Sequence, residues 1–384
     1  MASPAPSPTQ PKLKYGLVSA DDHVQETPDL WTSRVPNNLR GRVPRIERQL
    51  DGSERWVLDG NVLLGGKVAN VGALMADRLE EPTRWDDVPA AAYTPTERLK
   101  AMDAGGVDYS ALYPTVAGMA GEAFASLQDA ELELACVQAY NDWLIDEWGA
   151  TSERFIPQCI VPVWPPEATI KEIQRSVAKG HRGVVFPAVP MHLRDLPHVS
   201  GPEFDPVWSA CEEAGVPLCL HSGSSPKLQY APYEGLKPTL AEALEAVTRP
   251  VSSVFVITLL SFSRVLMRHP NLRVVLGESA HSWGMLYMEW ADHQFEHDGL
   301  PREGYDLKPS EMFHRQCYFT SWFDDVAPYA SHLGIDNILW ATNFPLATST
   351  WPRTGEVIDR CFRGVAQGDR EKVLWRNAAG LYRL

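Results

Sequence analysis

Four short polar clusters stand out from apolar surroundings in this chain: Asp21-Asp22-His23, His221-Ser222-Gly223, Glu278-Ser279-Ala280-His281 and Thr342-Asn343-Phe344-Pro345. In an extended segment residues i and i+2 project from one face, so Asp21 and His23 offer a carboxylate and an imidazole to one point. With His221 they make three ligands suited to a divalent cation such as zinc or manganese. Glu278, at the end of an apolar run, is expected to be partly desolvated and suited to acid or base work. His281 either moves protons as well or caps the helix that starts at Ser282.

For these clusters to meet, each must end a strand whose loop opens on one mouth. Eight β-rich runs satisfy this: Tyr15–Ala20, Asp108–Pro114, Phe155–Val163, Gly183–Ala188, Pro217–Gly223, Leu272–Ser279, Cys317–Phe323 and Asn337–Phe344. Most are apolar without alternation, as strands covered on both faces are. Helical segments lie between them at 96–105, 128–148, 166–179, 204–214, 239–268, 282–298, 326–333 and 354–367, several ending at a glycine such as Gly180 or Gly215. Strand then helix, eight times, predicts an α/β fold, a (β/α)8 TIM barrel. A doubly wound sheet is the alternative, but no Gly-rich phosphate-binding turn follows any strand. All four polar clusters then lie at the C-terminal ends of barrel strands, where such barrels carry their chemistry.

The interval after the first strand is too long for one βα connection. Residues 27–92 are therefore expected to form an inserted lid or oligomerisation segment, with a hairpin about Asp51-Gly52-Ser53. Residues 1–14, rich in Ala, Ser and Pro at their start, read as a disordered N-terminal arm. The barrel occupies 15–384.

The segments that carry the chemistry also resemble a family. VSADDHVQETPDLW (18–31), ERLKAMDAGGVDYSALYPT (97–115), RFIPQCIVPV (154–163), GVVFPA (183–188), LHSG (220–223), HPNLRVVLGES (269–279), NILWATNFP (337–345) and VLWRNAAGLYRL (373–384) resemble, in order, amidohydrolase-related enzymes of the aminocarboxymuconate-semialdehyde and hydroxybenzoate decarboxylase type. The resemblance implies that Asp21, His23 and His221 are metal ligands and that Glu278 handles protons or contacts substrate. The family's eighth-strand motif is usually Ser-Asp-Tyr-Pro-His; here it is Thr342-Asn343-Phe344-Pro345-Leu346. Asn343 replaces an aspartate that binds metal and moves protons, and an amide can supply neither an anionic ligand nor a useful proton.

Three readings follow. A divalent metal stays on Asp21, His23 and His221, and Glu278 or His281 moves protons in decarboxylation or hydrolysis of a small aromatic or cyclic acid. Or no metal is bound and the same residues, with His23 and Asn343, form an acid–base lyase, isomerase or cyclase. Or the barrel only binds a small molecule. A serine hydrolase using Ser279 is a further, weaker alternative, since the segment lacks the last glycine of a nucleophile elbow.

Trp283 and Trp322 are expected beside an aromatic substrate, and Arg353, or Lys227, beside its carboxylate. The net charge of −14, from 49 acidic and 35 basic residues, argues against nucleic-acid and anionic-membrane partners. The run Val251 to Met267, with four serines and Arg264, reads as a buried helix, too polar and short for a bilayer span. Six cysteines without CxxC spacing read as free buried thiols. A cytoplasmic homodimer acting on a small molecule is the expectation.

Overall fold

A computed structural model describes residues 11–228 and 235–384. Eight parallel strands pair in chain order: β1 (Val18–His23), β5 (Tyr109–Tyr113), β6 (Phe155–Ile160), β7 (Gly183–Phe186), β8 (Leu218–His221), β9 (Val274–Gly277), β10 (Cys317–Ser321) and β11 (Ile338–Trp340). The ring is drawn together where the chain leaving β11 bonds back to β1: Asn343 N–H donates to the Asp21 carbonyl (3.0 Å) and His23 N–H to the Phe344 carbonyl (2.7 Å). Each expected strand is present. The first runs three residues further than predicted because Asp21, Asp22 and His23 belong to it. Its register against β5 slips between Ser19 and Asp22, a bulge that re-aims these side chains.

The strands are buried along almost their whole length, as a sheet covered by helices requires. Helices Pro166–Lys179 and Asp205–Ala214 follow the predicted bounds closely, each stopped by a left-handed glycine, Gly180 and Gly215. All six cysteines are free and buried.

The apolar stretch near residue 250 is longer than the sequence suggested. Pro238–Thr248 and Val251–Phe262 abut, so Thr239–Phe262 is a 24-residue stretch, with an 18-residue window of mean hydropathy 1.5, long and apolar enough by length and composition to cross a membrane. One side, Val256, Ile257 and Leu260, nevertheless packs into the core that holds Leu220 and Leu276, while Val251 and Phe255 are exposed.

Between β1 and β5 the chain builds a small antiparallel sheet, β2 (Arg45–Arg48), β3 (Glu54–Leu58) and β4 (Asn61–Val62), with the expected hairpin at Asp51–Ser53. Trp56 of β3 is buried, its indole N–H donating to the Val68 carbonyl, and packs edge-on against Trp31 and Trp85. Of the predicted arm, residues 1–10 lie outside the described residues. By Lys14 the chain is fixed, its backbone N–H bonded to Asp108 (2.7 Å).

One buried group away from the barrel mouth sets a pH dependence. His181, 2% exposed, has Nδ1 bonded to the Ser176 carbonyl and no partner on Nε2. Burial lowers its pKa from 6.5 to about 4. The unfolded chain therefore binds a proton that the native chain refuses between those values, and stability falls as pH drops from 6.5 to 4. The loss approaches about 3 kcal/mol. Denaturant titrations from pH 7.5 to 4 should show this slope, and His181→Gln should flatten it; an unchanged slope in the variant refutes the assignment.

Candidate active site

β1 and β8 place three polar side chains at one point inside the barrel. Asp21 Oδ1 lies 3.6 Å from His23 Nε2 and 3.5 Å from His221 Nε2, and all three residues are fully buried. The rings are held from behind. His23 Nδ1 is 2.8 Å from the Pro114 carbonyl and His221 Nδ1 is 2.6 Å from the Ser222 carbonyl. A carbonyl only accepts, so each Nδ1 carries a hydrogen and each Nε2 faces inward as the ligand atom. Asp21 is fixed through its other oxygen, which accepts from Glu278 N–H (2.7 Å) and the Thr320 hydroxyl (3.3 Å).

Asp21 Oδ1, His23 Nε2 and His221 Nε2 thus converge with no hydrogen-bond partner. Three buried, unsatisfied ligand atoms of these types fit a divalent cation. Burial lowers the pKa of His221, but the negative charge of Asp21 outweighs it and brings the value up to about 9, so a cation taking Nε2 displaces a proton there. Burial, with the charge of His221, brings His23 down to about 4. Among the described residues this is the metal-ligating cluster of the structure.

Gly277 leaves the room this cradle needs. A Cβ there would lie 2.9 Å from His221 Cδ2 and 3.4 Å from Asp21 Oδ2, and His221 is anchored and cannot retreat. Gly277→Ala should weaken metal binding about 10- to 100-fold, measured by titrating metal into metal-stripped protein. Unchanged affinity would mean that His221 is not a ligand.

Glu278 follows at once, in the left-handed region (φ 48°), as are Ala280 (φ 55°) and Asn343 (φ 54°). Such backbone is unfavourable for glutamate and alanine, and its clustering at one mouth marks a constrained site. Glu278 is buried, as its place at the end of an apolar run predicts, and it is also ion-paired: both its oxygens are 2.9 Å from Arg249 Nη1. Asn343 Nδ2 donates to Glu278 Oε1 (3.1 Å) and to the Thr348 hydroxyl (2.6 Å), while its buried Oδ1 has no partner.

Glu278, whose backbone N–H holds Asp21, borders a cavity of about 630 Å³, lined also by Ser222, Arg249, Glu122 and, from the segment after β1, Leu64, Lys67 and Asn70. The cations lining it are Lys67 and Arg249. Arg353 is exposed and is not among the lining residues; neither is Lys227. Arg249 was legible only as one charge in a helical stretch, with no motif to mark it. Glu122 was missed too. Its carboxylate accepts from the backbone N–H groups of Met119 and Ala120, and burial raises its pKa.

His281 stands apart from the cavities around Glu278. Its Nδ1 is 2.9 Å from the Ser321 hydroxyl and its Nε2 3.3 Å from the Asp325 carbonyl, so both nitrogens are committed to tying two loops together. The Ser279 hydroxyl donates to the Ala280 carbonyl and is fully buried; among the described residues no base is bonded to it, against the nucleophile-elbow alternative. Trp283 and Trp322 line a second, apolar cavity that shares Glu278 and Arg249 with the first.

A cradle of two histidines and an aspartate at the C-terminal mouth of a (β/α)8 barrel defines a class, the barrel enzymes that work around a bound cation. The amidohydrolase family model matches residues 60–384, and the chain belongs to that family. A gamma-resorcylate decarboxylase from a Rhizobium species is 25% identical over 318 residues, covering 75% of this chain and 86% of that protein. Among solved structures, an amidohydrolase from Mycobacterium avium subsp. paratuberculosis has a TM-score of 0.77 at 21% identity, covering 97% of this chain and 100% of the other. A dihydroxybenzoic acid decarboxylase from a Polaromonas species, solved with bound manganese and 2-nitroresorcinol, has a TM-score of 0.63 at 18% identity, covering 97% and 98%. The last two support the fold.

Proposed function

We propose that the protein is a metal-dependent decarboxylase of a hydroxylated aromatic acid. The observation that carries this reading is the trio of unsatisfied ligand atoms on Asp21, His23 and His221, set against the Glu278–Arg249 pair. Gamma-resorcylate and dihydroxybenzoic acid, on which the relatives act, supply the substrate class. A divalent cation held by the trio, manganese being the ion in the Polaromonas relative, would polarise a substrate oxygen as a Lewis acid.

The chain's own groups do the rest. Arg249 and Lys67 receive the substrate carboxylate, which the net charge of −14 would otherwise repel. Once Arg249 has turned to that carboxylate, Glu278 carries a solvent-derived proton to the ring carbon that bears it. A C–H bond forms there, the C–C bond to the carboxylate breaks, its electron pair restores the aromatic ring, and CO2 leaves. Glu278 then takes its next proton from water. Asn343 holds Glu278 in place, and residues 27–92 serve as the lid, a reading supported by Leu64, Lys67 and Asn70 lining the cavity. The exposed Phe255, Leu286 and Trp290 support a homodimer.

The test is CO2 release from a panel of mono- and dihydroxybenzoates by protein reconstituted with manganese or zinc. Turnover of at least one ortho-hydroxylated acid, abolished by chelation and restored by metal, is expected. Full turnover after chelation would refute the metal reading, and release of an amine or alcohol from amide or ester substrates would favour hydrolysis.

A further inference from the structure

The catalytic cavity does not end at the Glu278–Arg249 pair. Ala246, Arg249, Glu278 and Thr348 also border a chamber of about 360 Å³. Its other walls are mainly apolar, Val247, Pro250, Val251, Trp283, Trp322 and Phe323; of the polar pair beside them, Ser282 and Asp324, the carboxylate of Asp324 accepts from the Ser321 hydroxyl (2.9 Å). The aromatic walls are fixed in place. The Trp283 indole N–H donates to the Ser279 carbonyl (2.7 Å), and its ring packs edge-on against Phe319. Trp322 is 5% exposed and meets Phe323 edge-on at 5.1 Å.

The rim is apolar too, yet in water: Val247 is 77%, Val251 59% and Phe323 51% exposed. Each of these surfaces gains by being covered. The larger cavity already has the volume of a site for a drug-sized ligand, so a single-ring acid bound at Glu278 would leave this second chamber unfilled.

We propose that the chamber is a substrate subsite, and that the natural substrate is an aromatic acid carrying an apolar substituent of several carbons. The acid end sits at Arg249 and Glu278, and the substituent lies between Trp283 and Trp322. This assignment of substrate class rests on the reading of the site as one for aromatic acids. The two can fail separately.

The experiment is calorimetric binding of benzoates bearing n-alkyl groups, methyl to butyl, para to the carboxylate. These lack the ring hydroxyl and serve as non-reacting probes. Affinity should rise about fourfold per added methylene, the return expected for burying each CH2 in an apolar chamber. Val251→Trp fills the chamber from an exposed helical position and should reduce the increment below about twofold; Val247→Trp does the same from the adjoining helix should the first variant fold poorly. Affinity independent of chain length, or an increment that survives both substitutions, overturns the subsite. If alkyl affinity rises as stated but no hydroxybenzoate releases CO2, the subsite stands and the decarboxylase reading falls. If hydroxybenzoates turn over while affinity is flat, only the subsite falls.

Discussion

His221→Ala is expected to abolish metal binding and to reduce CO2 release about 10³-fold or more. Three ligand atoms meet at Asp21 Oδ1, and removing one leaves a carboxylate and a single imidazole, too few for a tetrahedral or octahedral site to hold its ion. Lewis-acid polarisation supplies several kcal/mol of transition-state stabilisation, and each 1.36 kcal/mol is a factor of ten in rate. Elemental analysis of purified protein should give about one equivalent of metal per chain in the wild type, against a residue near zero in His221→Ala and in His23→Ala. His221 is enclosed, with the rings of His23 and Tyr113 5.1 and 5.5 Å away, so the variants also lose some packing. Circular dichroism and thermal melting of the metal-stripped proteins separate that effect, since stripped wild type and stripped variant share the absence of metal. A His221→Ala protein that retains a full equivalent of metal and its turnover would place the catalytic centre elsewhere.

That prediction could be written from the sequence, and the reason is geometric. Asp21 and His23 lie two residues apart on one strand, so period-two alternation alone brings them together. His221 ends another apolar run, and barrel topology brings strand ends to one mouth. Local pattern and closed topology were enough. What escaped were groups whose roles come from contacts between distant segments. Arg249 lies 29 residues from Glu278, in an apolar helical stretch where nothing in the spacing points to a partner. Lys67 reaches the cavity only through the fold of the long segment between β1 and β5.

His281 shows the opposite error. Its place three residues after Glu278 suggested chemistry, but the left-handed turn through Glu278 and Ala280 carries it to Ser321 and Asp325. A backbone in an unfavourable region is invisible to pattern reading, which assumes ordinary φ and ψ. The helix Pro309–Gln316 was missed for a similar reason. It is short, and its start signal, the Lys308 backbone N–H bonded to Glu311, lacks the usual Ser or Thr cap.

Asn343→Asp is expected to tighten metal binding by at least about tenfold while lowering turnover. Asn343 has two faces. Its Nδ2 donates to the carboxylate of Glu278, and its Oδ1 is buried without a partner. Aspartate keeps the acceptor, adds a charge to it and removes the donor. A metal-bound site then gains an anionic oxygen where an amide carbonyl stood, and carboxylate is much the better ligand for a divalent ion. Without metal the same change sets two carboxylates face to face, at a position now bridged by a 3.1 Å hydrogen bond. Arg249 already has both Glu278 and Glu245 to balance. The metal-stripped variant should therefore melt below stripped wild type, and saturating metal should raise its melting temperature by more, since binding to the native state alone stabilises it by mass action. Turnover should fall because Glu278 loses the donor that orients it and faces a like charge instead. Metal titration, melting with and without metal, and CO2 release together read all three effects. Equal metal affinity in the two proteins would place residue 343 outside the ligand set. Turnover that rises with affinity would make the asparagine a handicap to decarboxylation, not an adaptation to the Glu278–Arg249 pair.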